Sequence, residues 1–155
     1  MDADKYICKA KDIYEGLWRI GYYVYDFKTN THYIMSNEII CGNAGSKPTR
    51  MDFSLSTYEI NPDTLCRFTG MTDCAKRQYF EHDIIELPDE DSDCGMVFRY
   101  EITYDENDCM WYISDIFNAE LYALGEFKAD EFFYAGNIFD NPELFEAGGK
   151  DGEEN

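Results

Sequence analysis

The chain has no stretch of about 18 consecutive apolar residues, the minimum for a membrane-crossing helix. Its start, MDADKYICKAKDIYEG, lacks the basic opening and apolar centre of a secretory signal, so an intracellular protein is expected. Only two histidines occur, His32 and His82, and none of the six cysteines (Cys8, Cys41, Cys66, Cys74, Cys94, Cys109) forms a C-x-x-C pair. A closed zinc site would therefore have to be assembled from scattered strands, and no metal or cofactor is expected. Disulfide frameworks belong to secreted and usually shorter chains, so the six thiols are expected to be reduced.

Basic residues are scarce in the second half. Residues 1–80 balance ten Lys/Arg against ten Asp/Glu, whereas residues 81–155 hold twenty-two acids against Arg99, Lys128 and Lys150, so the whole net charge of −19 lies there. Such a surface repels nucleic acid and anionic membranes and speeds encounter with a basic partner. Direct nucleic-acid binding is disfavoured. Seven carboxylates fall between Glu81 and Asp93 alone. The C-terminal GGKDGEEN reads as a disordered acidic tail over 147–155.

What the chain does have is aromatic side chains, 17% of its 155 residues, which favour pleated, half-buried surfaces. An all-β or β-rich fold follows as the expectation. In LWRIGYYVYDF, Trp18, Ile20, Tyr22 and Val24 share one face at period two; KTNT turns the chain and HYIM returns as an antiparallel partner. In VFRYEITY, Phe98, Tyr100, Ile102 and Tyr104 share a face, DEND turns the chain at Asp105–Asp108, and CMWYISDIF comes back. NAELYALGEF fits a short helix or a strand interrupted by Gly125. EFFYAGNIF reads as a strand, and DNPELFE as one helical turn with Asn141 as N-cap and Pro142 at the first helical position. CGNAGSKPTR (41–50) is read as a surface loop: Ser46 separates Gly45 from Lys47 and Pro48 removes an amide, so it does not make a phosphate cradle.

Three separated stretches resemble one family. KYICKAKDIYEGLWRIGYYVY looks like the opening of YopX-like phage proteins, with its Gly-Tyr-Tyr strand; FTGMTDCAKRQYFEHDIIEL is similar to that family's best-marked segment; GNIFDNPELFE resembles its closing Gly-Asn-Ile-x-x-Asn-Pro-Glu-Leu. The resemblance covers most of residues 5–146 in order. It implies a small SH3-like barrel built from hairpins, encoded by a phage, prophage or mobile element and residing in the cytoplasm of a bacterial host, with no known activity or ligand. Residues 1–146 are expected to form one compact unit, or two subdomains of about 1–60 and 61–146. Where the family has Asn-Gly and Gly-Asp, this chain has Cys74-Ala75 and His82-Asp83, so two turns that usually use glycine are expected to be rebuilt.

No reaction chemistry stands out. The carboxylates are too many for any pair to be specific, His82 between Glu81 and Asp83 fits a surface turn, Ser54, Ser56 and Ser92 lack a histidine or G-x-S-x-G context, and Cys66 and Cys74 lack a paired base. The expectation is a non-catalytic protein that presents Glu81, Asp83, Glu86, Asp89, Glu90, Asp91 and Asp93, with the tip acids Asp105, Glu106 and Asp108, where phosphates would lie on a basic host nucleic-acid-binding protein or nuclease. Such a nucleic-acid mimic would act against restriction or CRISPR-type systems. The alternatives are a phage accessory or assembly module that binds through exposed aromatics such as Trp18, Trp111 or Tyr112, and a carboxylate-metal hydrolase.

Overall fold

The structure, a computed structural model, describes residues 3–36, 56–88 and 97–145. The loop 41–50, Ser54, Ser92, Cys41, Cys94, Asp89, Glu90, Asp91, Asp93 and the tail 147–155 lie outside the described residues. The protein is β-rich, with short 3-10 turns in place of longer helices. It divides into two compact units, Met1–Phe68 and Thr69–Asn155.

The first unit is built on β1 (Ile7–Lys11), β2 (Trp18–Asp26), β3 (Thr31–Ser36), β4 (Ser56–Glu59) and the start of β5 (Cys66–Thr72). These lie in the order β4-β3-β2-β1-β5, each pairing antiparallel with its neighbour, so the LWRIGYYVYDF hairpin forms with Tyr25 opposite His32. Ala10, Ile34 and Ile60 form the buried cluster, with Cys8 and Leu65 against it. Trp18, Ile20, Tyr22 and Val24 do share a strand face, but Ile20 and Val24 are exposed and Gly21 is buried. Aromatic and β-branched residues occur on both faces of β2, so alternation alone does not say which face is inward. The glycine does: a Cβ at Gly21 would overlap the carbonyl oxygen of Met35, so β2 meets β3 more closely there than any side chain allows. On the opposite face the Lys9 and Lys11 ammonium groups stand 4.9 and 5.4 Å from the Trp18 ring centroid.

The second unit contains the rest of β5, β6 (Gln78–Phe80), and a five-stranded antiparallel sheet in the order β10-β9-β8-β7-β11. Its strands are β7 (Asp83–Pro88), β8 (Val97–Asp105), β9 (Met110–Asp115), β10 (Leu121–Ala123) and β11 (Phe133–Asn137). The VFRYEITY face lies inward as expected at Tyr100 and Ile102, which join Tyr79, Ile85, Ile113, Leu124 and Phe132 in one buried cluster. Phe98, at the end of that face, is exposed. The 119–127 stretch resolves into both alternatives in turn, strand at β10 and then a 3-10 turn at Leu124–Glu126 that contains Gly125. Among the described residues the strands form one order of six, β4-β3-β2-β1-β5-β6, and one of five, β10-β9-β8-β7-β11; the β-rich expectation is met, and a closed barrel is not shown.

The tight links between strands are held by carboxylate and carboxamide oxygens that accept backbone N–H groups two to four residues ahead. Asp12 takes the N–H groups of Tyr14 (3.1 Å) and Glu15 (2.6 Å); Asp105 takes Asn107 (2.7 Å) and Asp108 (3.1 Å); Asp115 takes Phe117 (2.7 Å) and Asn118 (2.8 Å). Asn137 does the same for Phe139 and Asp140, both at 3.0 Å. Asp26 caps Lys28 and Asp73 caps Arg77, each at 2.8 Å. These are Asx turns, in which a short side chain supplies the acceptor that the turning backbone cannot. The N–H of Glu15 lowers the Asp12 carboxyl below the ordinary 3.8, with Arg19 adding to it; the N–H of Asp108 and then that of Asn107 do the same for Asp105, and Lys28 for Asp26.

Two expectations follow. Gly21→Ala lowers stability by roughly 1–3 kcal/mol through overpacking against the β3 backbone, whereas Gly125→Ala, with nothing within 4 Å of the added Cβ, leaves it within about 0.5 kcal/mol; denaturant midpoints of the two variants check this, and equal midpoints refute it. The second concerns acid. Because these carboxyls titrate lower in the folded chain than in the unfolded one, their stabilisation is complete above the ordinary pKa of 3.8 and disappears as pH falls through the lower folded values. Protonation also relieves self-repulsion at net charge −19, which acts in the opposite sense. Asp105→Asn keeps the acceptor oxygen and removes the titration, so its denaturation midpoint between pH 5 and pH 2.5 falls less steeply than that of the parent; parallel curves would contradict the assignment.

Candidate partner-binding surface

The acidic residues singled out in the sequence divide into structural and surface groups. Asp83 is 1% exposed and its Oδ2 accepts the Phe80 N–H at 2.8 Å across the β6–β7 turn, so it faces the interior and is withdrawn from any partner. Glu86 is half-buried and accepts a hydrogen bond from Arg99 Nε at 2.9 Å, directly across the ladder in register with it. Asp105 is committed to its turn. Glu106 and Asp108 are exposed on the β8–β9 tip, with Asp108 Oδ2 accepting from the Tyr112 hydroxyl at 3.0 Å. Glu81, half-buried, opens the turn before β7.

Their positions along the sheet differ. Ile84 pairs with Glu101 and Pro88 with Val97, so the Glu81–Asp83 turn and the Asp105–Asp108 tip lie toward one end of the β7–β8 pair. The chain leaves β7 at Pro88 and re-enters β8 at Val97 at the other end, about 17 Å away for five strand steps of ~3.3 Å. The structure therefore brings together the first and last of the acidic groups. Asp89, Glu90, Asp91 and Asp93 lie outside the described residues.

His82 occupies the centre of the first group. Its φ of 67° is left-handed, a conformation that glycine ordinarily supplies. At Cys74-Ala75 the left-handed residue is the next one, Lys76, with φ 68°. The strained His82 backbone is fastened on both sides: its N–H donates to Ile102 O (2.8 Å), and its carbonyl accepts the Ile138 N–H (3.1 Å). The ring packs edge-on to Phe139, and Nδ1 lies 2.6 Å from Glu101 Oε1. His82 thus ties β8 to the closing turn, a structural duty that the sequence showed only as a histidine between two acids.

The closing GNIFDNP segment meets β7 directly, with Gly136 opposite Ile84 and Asn137 opposite Asp83. A Cβ on Gly136, φ 159°, would overlap the Asn141 side chain. Asn141 does not cap the following 3-10 turn with its side-chain oxygen. Oδ1 instead accepts the Asn137 N–H at 3.3 Å and Nδ2 donates to Glu143 Oε1 at 3.1 Å, while the Asn141 carbonyl accepts from Leu144. The expected turn therefore forms, with Asn141 at the N-cap position and Pro142 first in the turn, and only the side-chain oxygen is diverted, because a neighbouring backbone donor competes for it.

Elsewhere, the first unit carries an open cleft of about 600 Å³ between its turns, lined by Lys11, Asp12, His32, Glu59, Asn61 and Thr64 among others. Most of its polar groups already serve the fold. Thr64 Oγ1 accepts from Lys11 N (2.9 Å) and donates to Asn61 O (2.8 Å), and His32 Nδ1 lies 2.6 Å from the Tyr23 hydroxyl. No group of three or more His, Cys, Asp or Glu able to hold a metal occurs among the described residues. Cys74 N–H donates to Asp130 Oδ1 at 2.9 Å, and the carboxylate pushes the Cys74 thiol up and away from reactivity. Trp18, Trp111 and Tyr112 are half-buried; the exposed large apolar residues are others, among them Phe27, Tyr14, Phe133 and Leu121. No described helix is long and apolar enough to cross a membrane.

No curated protein matches the chain. Among solved structures it is similar to the crystal structure of protein EF1440 from Enterococcus faecalis, at 20% identity over 89% of this chain and 96% of that one, with a TM-score of 0.49. The family model described as YopX protein matches residues 19–146, which takes in the Gly-Tyr-Tyr strand, the His82 turn and the closing Gly-Asn-Ile turn, and the chain belongs to that family.

Proposed function

We propose that this protein is a non-catalytic binder of a basic, nucleic-acid-binding host protein, such as a nuclease of a restriction or CRISPR-type system, and that its acidic second unit occupies the site where phosphates would lie. The observation that carries this reading is the segregation of charge between the two units. Residues 1–68 hold eight Lys/Arg against nine Asp/Glu, whereas residues 69–155 hold five against twenty-three. A surface of one sign concentrated on one unit steers an oppositely charged partner and discourages nucleic acid itself. On this reading the protein is a phage or mobile-element product in the bacterial cytoplasm, with a small SH3-like β framework as the rigid support. No chemistry is assigned to it.

On this reading the acids that face a partner are exposed ones, and those that are buried or hold turns are set aside. Glu106 and Asp108 on the tip are retained, Asp83 and Asp105 are set aside, and Asp89, Glu90, Asp91 and Asp93 stay in the proposal from the sequence alone. The test is capture from a bacterial lysate with the full chain, identifying bound proteins by mass at low and at moderately high salt. A nucleic-acid-binding protein that is released by salt and competed by DNA or RNA supports the reading. Changing Asp89, Glu90, Asp91, Asp93, Glu106 and Asp108 together to their amides should then weaken binding at least tenfold and flatten its salt dependence. Unchanged affinity in that variant, or a salt-resistant partner indifferent to nucleic acid, would return the protein to an accessory or assembly role carried by exposed side chains such as Phe27 and Phe133.

A further inference from the structure

The two outer strands of the second unit's sheet differ in a way that bears on how a partner docks. β11 is blunted: its register shifts between Tyr134 and Gly136, and the Asn137–Asn141 turn folds back against its end. Such irregularities are a common way of closing an edge. β10, three residues long, shows neither a register shift nor a folded-back turn among the described residues. It pairs with β9 on one side, Tyr122 opposite Ile113, and among the described residues no strand pairs with it on the other. Asp115 N–H donates to Glu120 O at 2.8 Å, which sets the antiparallel alternation: residues 120 and 122 direct their backbone groups at β9, Leu121 directs its N–H and carbonyl away, and Ala123 directs its N–H away while its carbonyl, at the N-cap position, turns to the 3-10 turn Leu124–Glu126. Leu121 is 61% exposed, and Tyr122, also exposed, is held by a 2.8 Å bond from its hydroxyl to Glu120 and an edge-on contact with Tyr100.

We infer that β10 is a docking edge that accepts one extended, basic segment of the partner as an added antiparallel strand, through the outward N–H and carbonyl of Leu121 and the outward N–H of Ala123. The inference rests on the electrostatic reading above and specifies its geometry. Charge selects this occupant. Glu120 and Glu126 bracket the edge, and Asp108 stands on the tip next to β9, whose Tyr112 pairs with Ala123. A second copy would bring an equally acidic strand against these carboxylates, so the edge is closed to self-pairing and open to lysine and arginine. Added strands gain affinity from main-chain hydrogen bonds and selectivity from alternate side chains. The incoming strand would set basic residues on the Glu120 and Tyr122 side and apolar ones beside Leu121.

The probe is a nine-residue synthetic peptide of alternating Lys and Val, blocked at both ends, with a control peptide of the same composition in which the lysines and valines are separated into blocks. Full-length protein is followed by amide hydrogen exchange. The alternating peptide should slow exchange at Leu121 and Ala123 at least tenfold and bind at least tenfold more tightly than the block peptide. Leu121→Pro removes an outward N–H that the β9 ladder does not use, so it should abolish this protection and affinity while amide signals of β8 and β9 keep their positions. As a second variant, Glu120→Gln with Glu126→Gln should leave the protection pattern and weaken binding several-fold at low salt. Equal binding of both peptides, parental affinity in Leu121→Pro, or protection of Leu121 and Ala123 that rises with protein concentration in the absence of peptide would each overturn the inference, the last by showing a second copy on the edge. A salt-sensitive nucleic-acid-binding partner that still binds Leu121→Pro defeats the edge alone. A protected edge with no such partner in the lysate defeats the functional reading and leaves the edge standing.

Discussion

The structure depends on one short-range interaction, the hydrogen bond from a turning backbone N–H to a nearby Asp or Asn oxygen. The eleven short strands among the described residues require the chain to reverse direction many times, and each reversal leaves amides with no ladder partner. Asp12, Asp26, Asp73, Asp105, Asp115 and Asn137 supply acceptors at six of those places. Two of the carboxylates, Asp12 and Asp115, are buried, yet neither lacks donors: Asp12 adds the Arg19 Nε at 2.8 Å to its two amides, and Asp115 adds the Asn118 side chain at 3.4 Å. Part of the acidic composition is therefore architectural. It is spent on turns that an amide side chain could also hold, at the expense of a neutral chain's freedom from self-repulsion.

Two glycines show a related constraint. Gly21 in Gly-Tyr-Tyr permits β2 to approach the Met35 carbonyl, and Gly136 in Gly-Asn-Ile leaves room for the Asn141 side chain that caps Asn137. These positions need the absence of a Cβ. His82 is the informative exception, since it holds a left-handed φ with a side chain present. The strain is offset by two backbone hydrogen bonds, a ring contact with Phe139 and the Glu101 carboxylate. A left-handed turn position need not be glycine; it can be fastened.

Family membership, the β-rich class, both hairpins and the closing strand were legible in the sequence, because alternation at VFRYEITY and turn chemistry at DEND are local signals. Which face of β2 is inward was not, since Tyr22, Tyr23, Val24 and Tyr25 satisfy either side and only the packing at Gly21 decides. The acidic site was legible as composition and not as geometry. Nothing local separates the buried Asp83, bonded to Phe80 N–H, from the exposed Asp108, because the difference is made by strands remote in sequence. The destination of Asn141 was hidden for the same reason: its N-cap context is intact, and the competing donor on Asn137 becomes its neighbour only after β11 turns back.

Charge in this chain thus has two separable effects. Carboxylates that accept backbone amides are fixed by the fold, and they contribute to the negative field whether or not anything binds. Carboxylates such as Glu106, Glu120 and Glu126 are exposed, at a tip or beside an edge strand. An unblunted β10 edge would ordinarily invite a second copy of the chain. It lies on the unit that carries all but one of the net negative charges, and on the proposed reading that charge would repel a second copy and favour the opposite sign.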